Sequence, residues 1–580
     1  MAVDDSLNRV GSEQQSTQSA QPRPNRIPSI SLPKGGGALR SIDEKFSVNA
    51  ANGTCNINIP LPFSAARSDV GLNIALQYNS GSGNSAFGLG WNLSLPSIQR
   101  RTDKQLPMYQ DALESDVFIF SGAEDLVPAY SQNESGDWLP DLAGSAGIRV
   151  ERYRPRIDGL FARIEKISVQ GEAGFYWKVI TRDNVATILG RTPGARIADP
   201  LDASRIFRWL PEWTYDDRGN CVEYLYKEED LANVPDVIEE RNRRNGLQPL
   251  SNKHLKRIRY GNHNPYFPNS SKAFDPPPPQ DPAYFFEATL DYGEHGDADP
   301  TPEEVRTWTC RFDPFSDCRP GFEMRTYRLC RRILFFHSFA ELEFAPAPYL
   351  VRSLDFKYQS LHFDGAPYQS QEADFIIGVQ RTHYKRTSAA AYDSKSWPAV
   401  DLTYQPLNWN KNVQTVSQDD LVGAPARITR DYQWLDLYGD GAPGIFTEQA
   451  EGWYFKSNLG GGHFGRAEAI AEKPSFIGVA EAVLEFHDLA ADGSKQLVSL
   501  HTEPHGFFEL DDDNRWLPFR KFAQLANVDF LDPNTKLLDL NGDGAPDLLI
   551  SEEFVFRWHP SLGRVGYGEA SFSAKPLTRK

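Results

Sequence analysis

The 580-residue sequence predicts a mainly β protein, and three observations support this fold class. Aromatic residues are plentiful, with 35 Phe, 23 Tyr and 12 Trp, and so are the 44 Gly and 41 Pro that suit turns. Short stretches that alternate apolar and polar side chains occur along most of the chain. Near the C-terminal end, loops rich in Asp and Gly recur at a constant spacing, which is typical of repeated β units. We therefore expect many short strands joined by tight turns.

Composition and charge narrow the classes of function. The formal net charge is −17 and the pI is near 5.2, which argues against nucleic acid as a partner. The five cysteines are widely spaced and include no Cys-x-x-Cys pair, so they support neither a disulfide framework nor a zinc cluster. No apolar run reaches the roughly 18–20 residues of a membrane span. Residues 1–30 are polar, so we expect a disordered tail without the apolar core of a signal peptide.

The region 31–109 alternates short apolar runs with glycine-rich breaks. Its predicted strands are Thr54–Leu61, Leu72–Tyr78 and Trp91–Ile98. Four glycines surround Phe87 between the second and third of these strands. A dinucleotide-binding loop would be followed by a helix, whereas here a strand follows. We therefore interpret these glycines as parts of tight β turns.

The same region carries an ordered series of motifs. In chain order they are Pro33-Lys34-Gly35-Gly36-Gly37, Tyr78-Asn79-Ser80-Gly81-Ser82-Gly83-Asn84, Phe87-Gly88-Leu89-Gly90-Trp91, Leu95-Pro96-Ser97-Ile98 and Arg100-Arg101-Thr102-Asp103. The series closely resembles the N-terminal signature of the SpvB family, which includes the Salmonella virulence plasmid 65 kDa B protein and the B component of insecticidal toxin complexes. The resemblance implies a curved, shell-forming β sheet, which we expect over residues 31–424.

Local patterns predict further elements within 31–424. Residues 215–220 are predicted to form a hairpin turn, similar to the Tyr-Asp repeat of Rhs shell proteins. Residues 228–246 are the best helix candidate, because Gly246 stands at the expected C-terminal end. Residues 322–338 are a predicted strand. Its arginines at positions 325, 328, 331 and 332 are interpreted as a solvated face, with an acidic partner as the alternative.

Residues 425–580 contain three related units, each with an aspartate loop, a strand, a turn and a second strand. The loops begin at Asp436, Asp488 and Asp539, so the units are 52 and 51 residues apart. A period of about 50 residues is typical of propeller blades, and the units resemble FG-GAP (VCBS) repeats. Because propellers typically have about four to eight blades, we expect a longer polypeptide or a partner chain to complete this one.

The third aspartate loop offers oxygen ligands that suit calcium. Asp539, Asn541, Asp543 and Asp547 occupy positions 1, 3, 5 and 9 of this loop, with a glycine at position 6 for the turn. The first two loops carry an apolar or aromatic residue at position 3 instead. Calcium at the third loop is therefore the one cofactor that the sequence proposes. The alternative is that the aspartates only cap β turns.

No catalytic residue is predicted, because two motifs that resemble catalytic sites lack the neighbouring sequence features that such sites require. Residues 341–343 (Glu-Leu-Glu) have the Glu-x-Glu form of ADP-ribosyltransferases, but the Ser-Thr-Ser strand of those enzymes does not precede them. Residues 501–505 (His-Thr-Glu-Pro-His) imitate a zinc-protease motif. Their Glu is misplaced and Pro504 would break the required helix, so a hairpin turn is predicted there.

The family resemblance implies a structural function. The chain would be part of a toxin-complex B component, in which the sheet helps to enclose the toxic polypeptide and the propeller docks on the pore-forming A component. The implied partners are that A component and an Rhs-type C component, in a secreted complex that folds in the bacterial cytoplasm. Two alternatives remain open: a virulence effector whose enzymatic domain lies on other sequence, and a calcium-dependent adhesion or carbohydrate-binding propeller.

Overall fold

Almost all regular structure in the protein is β sheet, as the sequence predicts. The computed structural model describes residues 44–575 except 50–52, 68–69, 71, 122–123, 134, 158–160, 269–274, 280–282, 343–347, 363–371, 389–390, 405–411, 425–431, 450–451, 471–473, 475–483 and 512. The predicted tail at 1–30 and the motif at 33–37 lie outside the described residues. So do residues 425–431, and the boundary predicted between 424 and 425 therefore stays a prediction.

The first sheet has four strands in sequence order: β1 (Lys45–Val48), β2 (Cys55–Pro60), β3 (Ala75–Asn79) and β4 (Trp91–Leu93). Alternation within β2 and β3 separates two faces, as period-two patterning requires. Ile59 and Leu76 face the core and are fully buried. Asn56 and Asn58 alternate with the isoleucines and lie on the opposite face.

The predicted strand Trp91–Ile98 is wrong as a single element. Strand β4 ends at Leu93, and the chain turns before β5 (Ile98–Arg100), which belongs to a different sheet. Pro96 accounts for the break, because proline has no N–H group to continue the ladder.

A second, nineteen-stranded sheet, here called the large sheet, carries most of the remaining chain up to residue 401. Two separate hairpins, β8–β9 and β21–β22, interrupt its strands in the chain. The strands from β6 onward are β6 (Phe118–Phe120), β7 (Glu124–Pro128), β8 (Tyr130–Gln132), β9 (Trp138–Pro140), β10 (Leu142–Ser145), β11 (Ile148–Pro155), β12 (Arg163–Val169), β13 (Tyr176–Ile180), β14 (Ala186–Leu189), β15 (Arg196–Asp199), β16 (Asp202–Trp209), β17 (Pro211–Tyr215), β18 (Cys221–Glu228), β19 (Lys253–Asn262), β20 (Tyr284–Asp291), β21 (Phe315–Asp317), β22 (Met324–Thr326), β23 (Arg332–His337), β24 (Tyr349–His362), β25 (Glu372–Ser388), β26 (Ala391–Ser396) and β27 (Val400–Asp401).

Buried side chains cover both faces of the large sheet in the part formed by strands β11–β14. On β13, Trp177 enters an aromatic cluster with Phe118 and Trp209, and its neighbour Tyr176 enters a second cluster with Trp213. A third and larger core lies between β18–β25 and the first sheet. Because buried large side chains contribute most of the hydrophobic stabilisation, these three clusters fix the sheet in its observed path.

The predicted hairpin turn at residues 215–220 is confirmed between β17 and β18. The Asp216 carboxylate accepts hydrogen bonds from the backbone N–H groups of Arg218 (2.9 Å) and Asn220 (2.8 Å). Gly219 adopts a positive φ of 83°, which glycine tolerates best.

Two other predicted elements are wrong. The helix predicted at 228–246 is reduced to a 3-10 turn at Ile238–Glu240 and one α-helical turn, α1 (Arg241–Arg244), followed by Gly246 at a φ of 72°. Pro235 restricts the preceding residue to extended geometry and so disfavours a helix that continues from residue 228 through this position. The strand predicted at 322–338 divides into β22 and β23.

Three four-stranded sheets, here called the first, second and third repeat sheets, follow in the described part of 432–575. The first contains β28 (Tyr432–Leu435), β29 (Gly444–Gln449), β30 (Gly452–Lys456) and β33 (Glu468–Ala469), with the hairpin β31 (Asn458–Gly460) and β32 (His463–Phe464) between the last two. The second contains β34 (Glu485–His487), β35 (Gln496–Ser499), β36 (Gly506–Phe508) and β37 (Arg520–Lys521). The third contains β38 (Thr535–Leu538), β39 (Asp547–Ser551), β40 (Val555–His559) and β41 (Ser571–Ala574).

Candidate functional site

The four residues predicted to bind calcium lie together at the loop between β38 and β39. The Asp539 carboxylate accepts hydrogen bonds from the N–H groups of Gly542 (2.7 Å), Asp543 (3.1 Å) and Gly544 (3.0 Å). The Asn541 amide donates to the Asp543 carboxylate at 2.9 Å. This pattern is that of an aspartate that caps a turn.

Asp547 lies at the start of β39 and is fully buried. Its carboxylate accepts hydrogen bonds from Leu540 N–H (3.0 Å) and Ser561 N–H (2.7 Å). Burial raises the pKa of Asp547 above its usual value, and the nearby Asp543 and Asp539 act in the same direction against these two N–H donors. Within the described residues, no group of three or more His, Cys, Asp or Glu side chains is arranged to hold a metal ion. Calcium binding therefore stays a prediction.

The first two aspartate loops repeat the same capping geometry. Asp436 accepts hydrogen bonds from Asp440 N–H and Gly441 N–H, both at 3.0 Å. Asp488 accepts them from Asp492 N–H (3.1 Å) and Gly493 N–H (2.8 Å). The loops thus share one local fold, and the period in the sequence reflects a repeated structure.

The glycine-aromatic motif around Phe87 joins the first sheet to the large sheet. Gly88 has a φ of 86°, and a Cβ atom there would lie 2.4 Å from the backbone oxygen of Asp374 on β25. Leu89 N–H donates to that same oxygen at 2.9 Å. The Trp91 indole N–H donates to the Tyr404 hydroxyl at 2.8 Å. Close contact with the backbone of β25 accounts for the glycine at position 88.

The arginines predicted to form a solvated face are mostly internal, so that prediction is wrong for three of the four. Arg328 is fully buried, with its Nε 2.7 Å from Glu229 Oε1 and its Nη2 2.7 Å from Asp230 Oδ1. Its guanidinium also donates to three backbone oxygens and lies 4.4 Å from the centre of the Trp308 ring.

Glu229 connects Arg328 to a histidine on β19. His254 Nε2 lies 2.9 Å from Glu229 Oε2, which also accepts a hydrogen bond from Tyr327 N–H at 2.9 Å. Burial alone would raise the pKa of Glu229, but His254 and Arg328 together hold it below its usual value. We call the buried residues Glu229, His254 and Arg328, together with Asp230 at their exposed rim, the buried charge hub.

A neighbouring group of charges lies at the end of β20. Arg332 Nε is 2.7 Å from Asp291 Oδ2, and Lys256 forms an ion pair with Glu294. Burial alone would raise the pKa of Asp291, but Arg332 keeps it below its usual value. Arg325 similarly pairs with Glu240 at 2.5 Å. Of the four arginines, only Arg331 has an exposed side chain.

The sequence does not predict this hub, because its residues form no local pattern. Glu229 and Arg328 are 99 residues apart in the chain. A buried pair that satisfies both partners holds distant strands in register, and loss of one partner leaves an uncompensated charge. The arrangement therefore suits a structural role and offers no free nucleophile.

The two motifs that imitate catalytic sites do not form such sites in the described residues. Glu341 is exposed after the end of β23, while Glu343 lies outside the described residues. The segment His501–His505 forms the turn between β35 and β36, as predicted, with His501 Nε2 3.3 Å from Glu485 Oε1. Within the described residues, no helix is long and apolar enough to span a membrane.

The arrangement of the large sheet and the repeat sheets is shared with solved toxin assemblies. A structure of the Photorhabdus luminescens Tc holotoxin pore matches 94% of this chain, with a TM-score of 0.74 and 26% sequence identity, over 24% of that chain. The crystal structure of TcdB2–TccC3 matches 95% of this chain, with a TM-score of 0.62 and 22% identity, over 31% of that chain. The fold is therefore that of a Tc toxin shell component.

Residues 49–339 match the family described as Salmonella virulence plasmid 65kDa B protein. The chain belongs to this family, SpvB. It is 32% identical over 335 residues to the Mono(ADP-ribosyl)transferase SpvB of Salmonella typhimurium strain 14028s, a match that covers 56% of this chain and 54% of that protein. The SpvB protein of Salmonella choleraesuis strain SC-B67 is 32% identical over 395 residues, which cover 65% of this chain and 64% of that protein. The chain thus spans about half to two thirds of the length of these relatives.

Proposed function

We propose that this chain is the structural and docking part of a toxin-complex B component. The observation that carries the proposal is the match of 94% of the chain, large sheet and repeat sheets together, to the Tc holotoxin pore structure at a TM-score of 0.74. In this proposal the large sheet helps to enclose a toxic polypeptide together with a C component. The repeat sheets dock on a pore-forming A component.

Encapsulation requires a wall that keeps its shape without a ligand, and the large sheet has suitable internal support. Its faces carry the aromatic clusters around Trp177 and Trp213. The buried charge hub links the segment after β18 with residues 327–328, so it fastens parts of the wall that are far apart in the chain. Such satisfied buried pairs restrict the strands to one arrangement.

Packing among the repeat sheets supports the proposal of a propeller. Phe446 and Phe455 on the first repeat sheet pack against Leu497 and Phe508 on the second. Val498 and Phe507 on the second then pack against Leu548 on the third. Each sheet thus uses the same face to cover the next one.

The corresponding face of the third repeat sheet, here called its outer face, is apolar but incompletely covered. By register and sequence alignment, Leu549, Phe556 and Trp558 stand where Phe446, Trp453 and Phe455 stand on the first repeat sheet. The first set is half-buried and the second set is buried. A further sheet of the same kind, on additional sequence or on a partner, would cover these side chains.

Co-purification tests this function. Full-length B protein that contains this chain is expressed with a C component, mixed with an A-component pentamer, and analysed by size exclusion and electron microscopy. We expect Trp558→Asp, which places a charge on the outer face where the next sheet would pack, to disrupt the propeller and so abolish binding to A while the C component stays bound. The matched control Phe572→Asp alters an exposed aromatic residue opposite Arg557, on the other face of the same sheet, and should bind A normally. Failure of the unaltered full-length protein to bind either component would overturn the proposal.

A second candidate function has one observation in its favour. The curated relatives are named Mono(ADP-ribosyl)transferase SpvB, and the match covers 54% of the first of them. The chain could then be the non-catalytic part of an effector whose transferase lies on other sequence. Labelled NAD distinguishes this alternative: the natural full-length protein would label a host-cell extract, whereas residues 1–580 alone would not.

A further inference from the structure

The first sheet presents a row of side-chain amides on the face opposite its hydrophobic core. Asn56 pairs with Asn79 across β2 and β3, and Asn58 pairs with Gln77. Gln77 also pairs with Asn92 on β4. Since directly paired residues point to the same side of an antiparallel sheet, the five amides share one face.

A groove of about 760 Å³ runs over this face and reaches strands β5, β6 and β16 of the large sheet. Besides the five amides, its polar lining consists of Tyr78, Gln99, Arg208 and five serines, namely Ser47, Ser82, Ser94, Ser97 and Ser121. No Asp, Glu, Lys or His is among the residues that line it. In a chain with a net charge of −17, a groove without carboxylates whose single charge is a guanidinium is a local exception.

Two groups in the groove have unused hydrogen-bonding capacity. Within the described residues, the Asn58 side-chain oxygen is buried and has no hydrogen-bond partner. Arg208 Nε donates to the Gln99 side-chain oxygen at 2.8 Å, and no carboxylate of the described chain forms an ion pair with this arginine. Burial lowers the pKa of Arg208, and the Asp317 carboxylate opposes this shift from beyond ion-pair distance. A carboxylate of a ligand would pair with the Arg208 guanidinium, and a hydroxyl group of the same ligand would donate a hydrogen bond to the Asn58 oxygen.

We propose that this amide-lined groove binds a carbohydrate that carries a carboxylate, such as a uronic-acid oligosaccharide. Side-chain amides donate and accept hydrogen bonds at once, and sugar hydroxyls do the same. The Arg208 guanidinium then pairs with the sugar carboxylate. Binding of this kind is independent of the toxin-complex function proposed above.

A polypeptide is less well matched to the groove. Extended peptides usually add to the open edge of a sheet, where backbone N–H and C=O groups are unpaired. The groove instead lies on a sheet face, and side chains of β2, β3 and β4 line it. Its lining therefore favours a ligand whose own periphery is a set of hydroxyl groups.

Isothermal titration calorimetry of the 580-residue chain tests the proposal with two probes, a glucuronic-acid-containing tetrasaccharide and a neutral tetrasaccharide of the same length. We expect the acidic probe to bind more tightly. Arg208→Gln should weaken the acidic probe by about 10- to 100-fold, as expected for the loss of one charge-assisted pair, and leave the neutral probe unchanged. Gln77→Ala should weaken both probes, whereas the control Gln418→Ala, at an exposed glutamine far from the groove in the sequence, should weaken neither.

Three results would overturn the proposal. One is that neither probe gives a heat of binding although the melting temperature shows that the protein in the calorimeter is folded. Another is equal binding of the acidic probe to the unaltered chain, Arg208→Gln and Gln77→Ala, because binding would then occur elsewhere. The third is tighter binding of a poly-glutamate peptide than of the acidic saccharide, which would identify the groove as a peptide site.

Discussion

Replacement of Arg328 by Met tests whether the buried charge hub holds the large sheet together. Methionine has a similar length and fills much of the same space, but it leaves Glu229 buried opposite an apolar side chain. The substitution removes the Nε and Nη2 contacts, each 2.7 Å long, to Glu229 and Asp230. It also leaves the backbone oxygens of Ala232, Thr309 and Asp230 without this donor.

The expected loss follows from this count of contacts. Breaking one partner of a buried ion pair costs about 3–5 kcal/mol, because the remaining charge loses its counter-ion in a site without water. His254 Nε2 stays 2.9 Å from Glu229, so we place the loss at the lower end of this range. Both Arg328 and Glu229 have side chains with 0% relative exposure, so solvent offers little relief. We therefore expect Arg328→Met to lower the free energy of unfolding of the large sheet by at least about 3 kcal/mol.

Equilibrium urea unfolding followed by tryptophan fluorescence measures this loss. The matched control is Arg515→Met, whose ion pair with Asp513 is exposed at 65% and 70% and should contribute about 0–1 kcal/mol. Adding Glu229→Gln to Arg328→Met removes the stranded charge and should restore part of the stability. The reasoning fails if Arg328→Met lowers the free energy of unfolding no more than Arg515→Met does. It also fails if the double variant loses more free energy of unfolding than the sum of the losses of Arg328→Met and Glu229→Gln.

Three further predictions concern acid, calcium and the glycine motif. Burial lowers the pKa of His337 to about 4, so the folded protein keeps this ring neutral while the unfolded chain binds a proton below about pH 6.5. Stability is therefore lost as pH falls from about 6.5 to 4, and His337→Gln should reduce the loss between pH 7 and pH 5 by about 1–2 kcal/mol after allowance for solvent screening. If the third aspartate loop binds calcium, millimolar calcium raises the melting temperature of the protein. Asp543→Ala should abolish this rise, whereas Asp440→Ala, in the first aspartate loop, should keep it. The absence of any rise in the unaltered protein would contradict the calcium prediction. Gly88→Ala should destabilise the protein by about 2 kcal/mol more than Gly171→Ala, since both glycines have a φ of 86° but only at Gly88 would a Cβ atom meet backbone, at 2.4 Å.

Local patterns were enough for much of the fold. Alternation identified β2 and β3, and the Asp and Gly residues of 215–220 identified a hairpin turn, because both signals act within a few residues. The spacing of the aspartate loops predicted three equivalent units, and three four-stranded sheets follow it. Two failures have a local contribution: Pro96 ends β4, and Pro235 disfavours a helix that runs continuously through residues 228–246.

The amide row of the first sheet is visible in the sequence. The segment Asn56-Ile57-Asn58-Ile59 alternates amides with isoleucines, and Gln77-Tyr78-Asn79 repeats the pattern on the next strand. Lys45 and Ser47 of β1 pair with Asn58 and Asn56 and share this face, so the signal in the sequence is the run of amides at alternate positions. The position of Arg208 beside that face could not be inferred, because it depends on the pairing of β16 with β5.

The buried charge hub marks the limit of reasoning from local sequence. Residues 228–246 have the composition of a helix, yet Glu229 and Asp230 are held by Arg328, almost one hundred residues further along the chain. Helix propensity amounts to a few tenths of a kcal/mol per residue, whereas stranding a buried charge costs about 3–5 kcal/mol, so the tertiary pairing decides the backbone conformation. The same comparison explains the arginines at 325, 328 and 332. Their spacing on a strand predicts solvent exposure, but each of them has a carboxylate partner within 2.7 Å. An arginine-rich strand beside large buried aromatic residues is therefore better interpreted as one side of an internal ion-pair network than as a docking surface for an acidic partner.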